Sequence, residues 1–88
     1  MKNDIEKLTQ KINALITVLE KTSNPSIKFF KGVLGILQSC KTEAELKKAL
    51  DNHLIHSSAI KDYGGYNREQ CNSFNEMWAV ANSIYEAK

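Results

Sequence analysis

Apolar residues recur every three or four positions along almost the whole chain, which is the spacing of one face of an α-helix. In the first stretch these positions are Ile5, Leu8, Ile12, Leu15 and Leu19. Three further stretches repeat the same spacing, and no segment alternates apolar and polar residues as a half-buried strand does. The pattern therefore predicts an all-α protein.

Start and stop signals divide this pattern into four helices. The predicted ranges are about 4–22, 25–40, 43–62 and 68–87. Asn3, Thr42 and Asn67 each stand three residues before a Glu or Gln, which is the arrangement of a capping box. Asn24-Pro25 suits the start of the second helix, because proline loses no hydrogen bond at a first helical position. Gly64-Gly65 supplies the left-handed stop that many helices need.

Helices of this length joined by short connections must fold back on one another. We therefore predict a small antiparallel up-down-up-down four-helix bundle that forms a single domain over residues 1–88, with one modest core. An open helical array and a dimer that exchanges helices are the competing arrangements. Ser57-Ser58 is a weak point that leaves the continuity of the third helix open. The second helix carries two adjacent apolar rows and is expected to be the most buried.

Composition and charge narrow the function classes. The chain has 12 Lys and Arg against 10 Asp and Glu, a net charge of +2, and its one arginine is Arg68. Arginine is the side chain that binds phosphates and base edges with two hydrogen bonds, so this composition disfavours a nucleic-acid partner. Nucleic-acid binding through Lys-rich faces stays as an alternative function. With no signal peptide and no membrane-spanning run, the expected location is cytoplasmic, and leaderless secretion is left open.

Cysteine and histidine raise the possibility of a metal site. Cys40 and Cys71 are too few for a disulfide framework, and both fall on apolar faces, which predicts buried free thiols. With His53 and His56 they could form a two-Cys, two-His zinc site, but structural zinc sites bring ligands in close pairs and each cysteine here stands alone. We therefore expect no metal and no cofactor, and His53 is expected to be a hydrogen-bonded core residue. A Cys/His metal-binding protein remains the second alternative.

Catalytic patterns are not present in the sequence. No cysteine has an evident exposed, electropositive setting, the acidic residues fall in first helical turns or on polar faces, and no phosphate-binding glycine loop occurs. The protein is predicted not to be an enzyme.

The first candidate binding surface is the connection before the last helix. Tyr63 and Tyr66 flank Gly64-Gly65, and tyrosine is enriched at protein interfaces because it offers apolar area and a hydroxyl. Arg68 would add a bidentate anchor. In the alternative, both rings fold back to close the end of the bundle while the glycines form the turn.

The second candidate is the polar face of the second helix, where helical spacing groups Lys28, Lys31, Gly32 and Gly35. A glycine inside a helix costs roughly 0.5–1 kcal/mol relative to alanine. Two of them on an exposed face indicate the close approach of another backbone, from a partner or from a neighbouring helix. A break of the helix at Lys31-Gly32 is the alternative.

These observations predict a non-catalytic helical module that binds another protein, as a monomer or a homodimer. In size and layout the whole chain resembles small bacteriocin-immunity bundles and small helical modules of bacterial effectors, although no motif carries that resemblance. The richness in Lys, Asn and Ile is typical of bacterial or phage coding. We therefore expect an accessory protein of immunity or effector type, whose partner the sequence does not identify.

Overall fold

The computed structural model describes residues 2–87, except for the side chain of Tyr63. Its helices are α1 (Lys2–Glu20), α2 (Ile27–Ser39), α3 (Glu43–His53), α4 (Ser58–Tyr63) and α5 (Arg68–Glu86). No strand occurs in this part of the chain, and the all-α prediction is confirmed. The predicted boundaries agree within two residues, except that the third helix is divided between α3 and α4.

The core is built around α1 and α5, which pack along most of their length. Lys21 at the end of α1 pairs with Glu69 at the start of α5, whereas Lys11 pairs with the later Glu76. The pairs follow opposite chain directions, so these two helices are antiparallel. α2 packs on α1, and α3 packs on both α5 and α2. The up-down-up-down order of the whole bundle stays a prediction.

A hydrophobic cluster drawn from all the long helices fills the centre. Its buried members are Leu8, Ile12, Leu15, Ile16, Leu19, Phe30, Val33, Leu37, Leu46, Leu50, Leu54, Phe74, Met77, Ala81 and Ile84. Burying a side chain of this size contributes about 1.5–3 kcal/mol, so the cluster is the main source of stability. In the part of the chain that the structure describes, no helix is long and apolar enough to cross a membrane.

Two of the predicted helix starts have the expected caps. The Thr42 hydroxyl accepts from the Glu45 amide at 3.1 Å, and Asn67 forms a complete capping box with Gln70. The cap predicted at Asn3 is wrong, because α1 already begins at Lys2. The caps at Thr42 and Asn67 satisfy amide groups that have no partner inside the helix.

Gln70 does more than complete its cap. Its side chain is fully buried. The Oε1 atom accepts from the Asn67 amide at 2.9 Å, and the Nε2 group donates to the Val18 carbonyl at 3.0 Å and to the Thr22 hydroxyl at 2.9 Å. The carbonyls of the last turn of a helix need partners from outside that helix. Gln70 therefore joins the end of α1 to the beginning of α5.

The division between α3 and α4 has a local and a long-range cause. Leu54 points into the core, and the hydroxyl of buried Ser57 donates to the Leu54 carbonyl at 2.6 Å. The Trp78 indole of α5 donates to the Ile55 carbonyl at 3.1 Å. In a continuous helix the Leu54 and Ile55 carbonyls would accept hydrogen bonds from amides of the next turn. Here they accept from Ser57 and Trp78, which stabilises the break next to Ser57-Ser58.

α1 ends in a Schellman motif without a glycine. The Asn24 amide donates to the Leu19 carbonyl, and the Ser23 amide donates to the Glu20 carbonyl, both at 3.2 Å. These are the two bonds of that motif, and they require a left-handed residue at Ser23, which has φ 51°. The left-handed conformation costs a residue other than glycine roughly 1–2 kcal/mol.

We expect Ser23→Gly to raise the free energy of unfolding by about 1 kcal/mol, because glycine adopts the left-handed conformation without this cost. Urea unfolding followed by circular dichroism measures the change. The matched control is Ser83→Gly, an exposed site inside α5, which should lose about 0.5–1 kcal/mol. Equal losses in both variants would contradict the expectation.

Candidate interaction surface

α2 is rich in apolar residues but leaves much of them uncovered. Seven of its 13 residues are large and apolar, and only Phe30, Val33 and Leu37 are buried. α1 has the same number of large apolar residues over 19 positions and buries five of them. The expectation that the second helix is the most buried is therefore wrong, because that helix lies at the side of the α1–α5 pair.

The exposed face of α2 contains the four residues expected there. Lys28, Lys31, Gly32 and Gly35 are all exposed. The helix is continuous from Ile27 to Ser39, so the alternative of a break at Lys31-Gly32 is wrong. No other part of the described chain lies within 4 Å of the position that a Cβ atom would take at either glycine. A neighbouring helix of the same chain therefore does not explain them.

Two half-buried apolar side chains border this face. Phe29, Gly32 and Ile36 fall within about 60° of arc around the helix axis, so they form one stripe. Phe29 and Ile36 keep part of their surface in solvent. We call Lys28, Phe29, Lys31, Gly32, Gly35 and Ile36 together the α2 surface. Phe29 also packs against the hydrophobic cluster. The two apolar rows predicted on the second helix did not indicate that these side chains keep part of their surface in solvent.

The charged side chains of this region are all positive. From Thr22 to Thr42 the sequence contains no Asp or Glu, and it contains Lys28, Lys31 and Lys41. All three lysines are exposed. This absence of acidic residues was the sequence signal that distinguishes the α2 surface from the mixed charges of α1 and α5.

A groove of about 510 Å³ continues the stripe between the start of α2 and α4. Its apolar lining is Pro25, Phe29, Ala59 and Ile60, and its polar lining is Asn24, Ser26 and Gly64. We call it the α2–α4 groove.

A hydrogen-bonded clamp holds this end of the bundle. The side-chain amide of Asn24 donates from Nδ2 to the Gly64 carbonyl at 2.7 Å. Its Oδ1 accepts from the backbone amide of Ser26 at 2.9 Å and from the Ser26 hydroxyl at 2.7 Å. The Ser26 hydroxyl has one proton and gives it to Asn24, so the Tyr66 hydroxyl, 2.7 Å from Ser26 Oγ, must be the donor of that bond. Asn24 therefore closes a turn instead of capping α2, and the regular helix starts only at Ile27.

The glycine pair is required by the turn before α5. A Cβ atom on Gly64 would lie 2.2 Å from the Ile60 carbonyl oxygen, and Gly65 has φ +71°. The Tyr66 ring lies edge-on to Phe74, with centroids 6.2 Å apart. Tyr66 thus folds back towards the bundle, as the alternative expectation had it. The predicted role of the Tyr63 side chain lies outside the described residues.

Arg68 lies on a different side of the molecule. It is exposed and lines a groove between α1 and α5 together with Ala14, Val18 and Glu69. The structure therefore connects Tyr66 to the start of α2, through Ser26, but does not bring Arg68 to the lysines of α2.

The metal-site candidates are dispersed. His53 is half-buried at the end of α3 rather than in the core, and exposed His56 places Nε2 3.2 Å from Asp51 Oδ1. Cys40 and Cys71 are free, and both are half-buried, not buried as expected. Within residues 2–87 no three His, Cys, Asp or Glu side chains are grouped so that they could hold a metal ion.

Cys40 shows no sign of activation. Burial, and next the charge of Glu45, raise the pKa of its thiol. Its Sγ donates to the Ile36 carbonyl at 3.3 Å. A raised pKa lowers the thiolate fraction at neutral pH, which is the opposite of what a nucleophilic cysteine requires.

Comparison with known proteins returned no match to a family model, a curated protein or a solved structure. The α2 surface and the α2–α4 groove are therefore the features of the molecule that bear on its function.

We expect Gly32→Ala and Gly35→Ala each to raise the free energy of unfolding by about 0.5–1 kcal/mol, since the added methyl groups meet nothing and alanine favours the helix. Urea unfolding measures both changes. Gly64→Ala is the contrasting variant and should be destabilised, because its Cβ collides with the Ile60 carbonyl. Destabilisation at Gly32 or Gly35 would reveal an intramolecular need for these glycines.

We expect Tyr66→Phe to lose about 0.5–1.5 kcal/mol of stability at neutral pH, through the missing bond to Ser26. Burial raises the pKa of the Tyr66 phenol by more than the bond to Ser26 lowers it, so the folded state holds this proton more tightly than the unfolded chain. The stability that the neutral phenol contributes is therefore complete below about pH 10 and is lost as pH rises through the raised pKa. Urea unfolding between neutral and alkaline pH should show the difference between wild type and variant shrinking. A difference that stays constant to about pH 11 would contradict the burial of the neutral phenol.

Proposed function

We propose that this protein is a non-catalytic helical module that binds another protein through the α2 surface. The observation that carries the proposal is that α2 leaves half-buried apolar side chains and two mid-helix glycines uncovered in the single chain. Protein interfaces commonly combine an apolar centre with a polar rim. Phe29 and Ile36 supply the apolar part, and Lys28 and Lys31 supply the rim.

The glycines support the same interpretation. Each costs stability in a helix, and neither is needed for packing inside the chain. Their use in a binding surface is to let a second backbone come close, because no Cβ stands in its way.

The connection before α5 has a supporting part in this proposal. Tyr66 holds Ser26 and thereby fixes the polar side of the α2–α4 groove. Tyr63 remains a proposed contact at the same end of the bundle. Arg68 lies in the α1–α5 groove and is not part of the α2 surface.

The proposed setting is that of a small bacterial or phage accessory protein of immunity or effector type, acting in the cytoplasm. The coding bias towards Lys, Asn and Ile supports that origin. The half-buried apolar residues of α2 support a role that is completed by a partner.

Affinity purification from the native host tests the proposal with wild type, Gly32→Arg and Ala79→Arg. Gly32 and Ala79 are exposed sites inside α2 and α5, so both variants should fold. We expect Gly32→Arg to reduce the recovered partner about tenfold, because the arginine keeps the partner's backbone away. Ala79→Arg should recover it like wild type.

Two outcomes would contradict the proposal. One is a partner recovered equally with Gly32→Arg, and the other is a partner lost with Ala79→Arg but not with Gly32→Arg. Circular dichroism of each variant shows whether a loss of recovery comes from unfolding. Tyr63→Ala in the same experiment reports separately on the contact proposed for the connection before α5.

A further inference from the structure

We infer that the α2 surface binds an acidic amphipathic helix of another protein, which crosses α2 at Gly32 and Gly35 and places an apolar side chain in the α2–α4 groove. This inference rests on the proposed function and specifies the chemistry of the partner. Three independent features of the surface lead to it: its charge, its glycines and the groove.

The charge selects an acidic partner. Lys28 and Lys31 are exposed on α2, and no acidic residue occurs between Thr22 and Thr42. A partner with Glu or Asp beside its apolar stripe would meet both lysines, and complementary charge speeds association and excludes wrong partners. A basic or neutral helix would leave the lysines without counter-charges.

The two glycines favour a partner helix whose axis packs close to that of α2. Gly32 and Gly35 are three residues apart, so they lie on the same side of α2, one turn apart. Helix axes pack 8–10 Å apart depending on the side chains at the contact, and glycine permits the short end of this range. Around the helix axis, Phe29 and Ile36 lie on one side of the two glycines and Lys31 lies on the other, while Lys28 is in line with the glycines one turn before Gly32.

The groove accepts an apolar side chain without leaving polar groups unpaired. Its polar lining consists of groups that already bond to one another: Asn24 to Gly64, and Ser26 to Asn24 and Tyr66. An unpaired buried polar group costs about 1–3 kcal/mol, and that cost is avoided here. Pro25, Phe29 and Ile60 would surround the entering side chain.

A second copy of this chain fits less well. Two α2 surfaces facing each other would bring their lysines together. Two of the three acidic residues of α5 already have lysine partners, since Glu69 pairs with Lys21 and Glu76 with Lys11. A nucleic acid would satisfy the lysines but would leave Phe29 and Ile36 against phosphates, and Arg68 lies in another groove.

The test uses two designed helical peptides of about 20 residues with the same leucine stripe. One carries Glu and the other Lys beside the stripe. Nuclear magnetic resonance spectra of the ¹⁵N-labelled protein follow the Gly32 and Gly35 amides and the Asn24 side-chain amide. We expect the acidic peptide to shift these signals and to bind at least about tenfold more tightly than the basic one.

Two variants make the test specific. Lys28→Glu/Lys31→Glu should reverse the preference, so that the basic peptide binds more tightly. Ala59→Trp, at an exposed position of α4, should fill the groove and weaken the acidic peptide about threefold or more, whereas the matched Ala79→Trp should not.

The inference is overturned by equal affinity for the two peptides, by the absence of any binding up to about 1 mM, or by shifts confined to the α1–α5 groove. It is also overturned if duplex DNA of about 20 base pairs shifts the same amides at a lower concentration, or if light scattering shows a dimer of the free protein that Gly32→Arg abolishes. A host partner that is lost with Gly32→Arg but presents no acidic helix would overturn this inference and leave the proposed function standing.

Discussion

The hydrogen bonds of buried Gln70 fix the junction between α1 and α5, and the other helices take their positions from that pair. The side chain satisfies an amide at the start of α5 and a carbonyl at the end of α1, and it lies 0% exposed. It therefore sets how far along α1 the antiparallel α5 begins, and hence which apolar residues of the two helices meet. α2 packs on α1, and α3 packs on α5, so an axial shift of the central pair would move both of them. A fully satisfied buried polar group specifies register in a way that apolar contacts alone do not.

This arrangement explains why α2 retains uncovered apolar surface. α1 and α5 cover each other and are covered again by their neighbours, whereas α2 has α1 on one side and little beyond α3 on the other. Its start is held instead by polar contacts, through Asn24 and Ser26 to Gly64 and Tyr66. These bonds fix the start of α2 without covering its outer side. A rigid surface loses less conformational entropy when a partner binds, which raises affinity for a given contact area.

The sequence was sufficient wherever the cause of a feature is local. Apolar periodicity and the caps at Thr42 and Asn67 gave the helices, because a cap and its partner lie three residues apart. The division after His53 depends on Trp78, and the inward fold of Tyr66 depends on Ser26, 40 residues away, so neither follows from neighbouring residues. For the candidate surface, helical angles placed Gly32 and Gly35 correctly on the exposed face. The partial exposure of half-buried Phe29 and Ile36 could not be foreseen, because it depends on how many helices surround α2.

Lys28 and Lys31 meet two requirements of the proposed surface: they oppose pairing with a second copy, and they favour an acidic partner. A helix side with apolar residues and two glycines invites association with copies of itself, and exposed apolar patches are a known cause of aggregation. Like charges at that side oppose such pairing, because two copies would bring four ammonium groups together in a surface that excludes water. The same lysines favour an acidic helix, whose charges remove this repulsion. The lysines that oppose pairing of two copies would thus also favour an acidic partner, and replacing them with neutral residues would weaken both effects together.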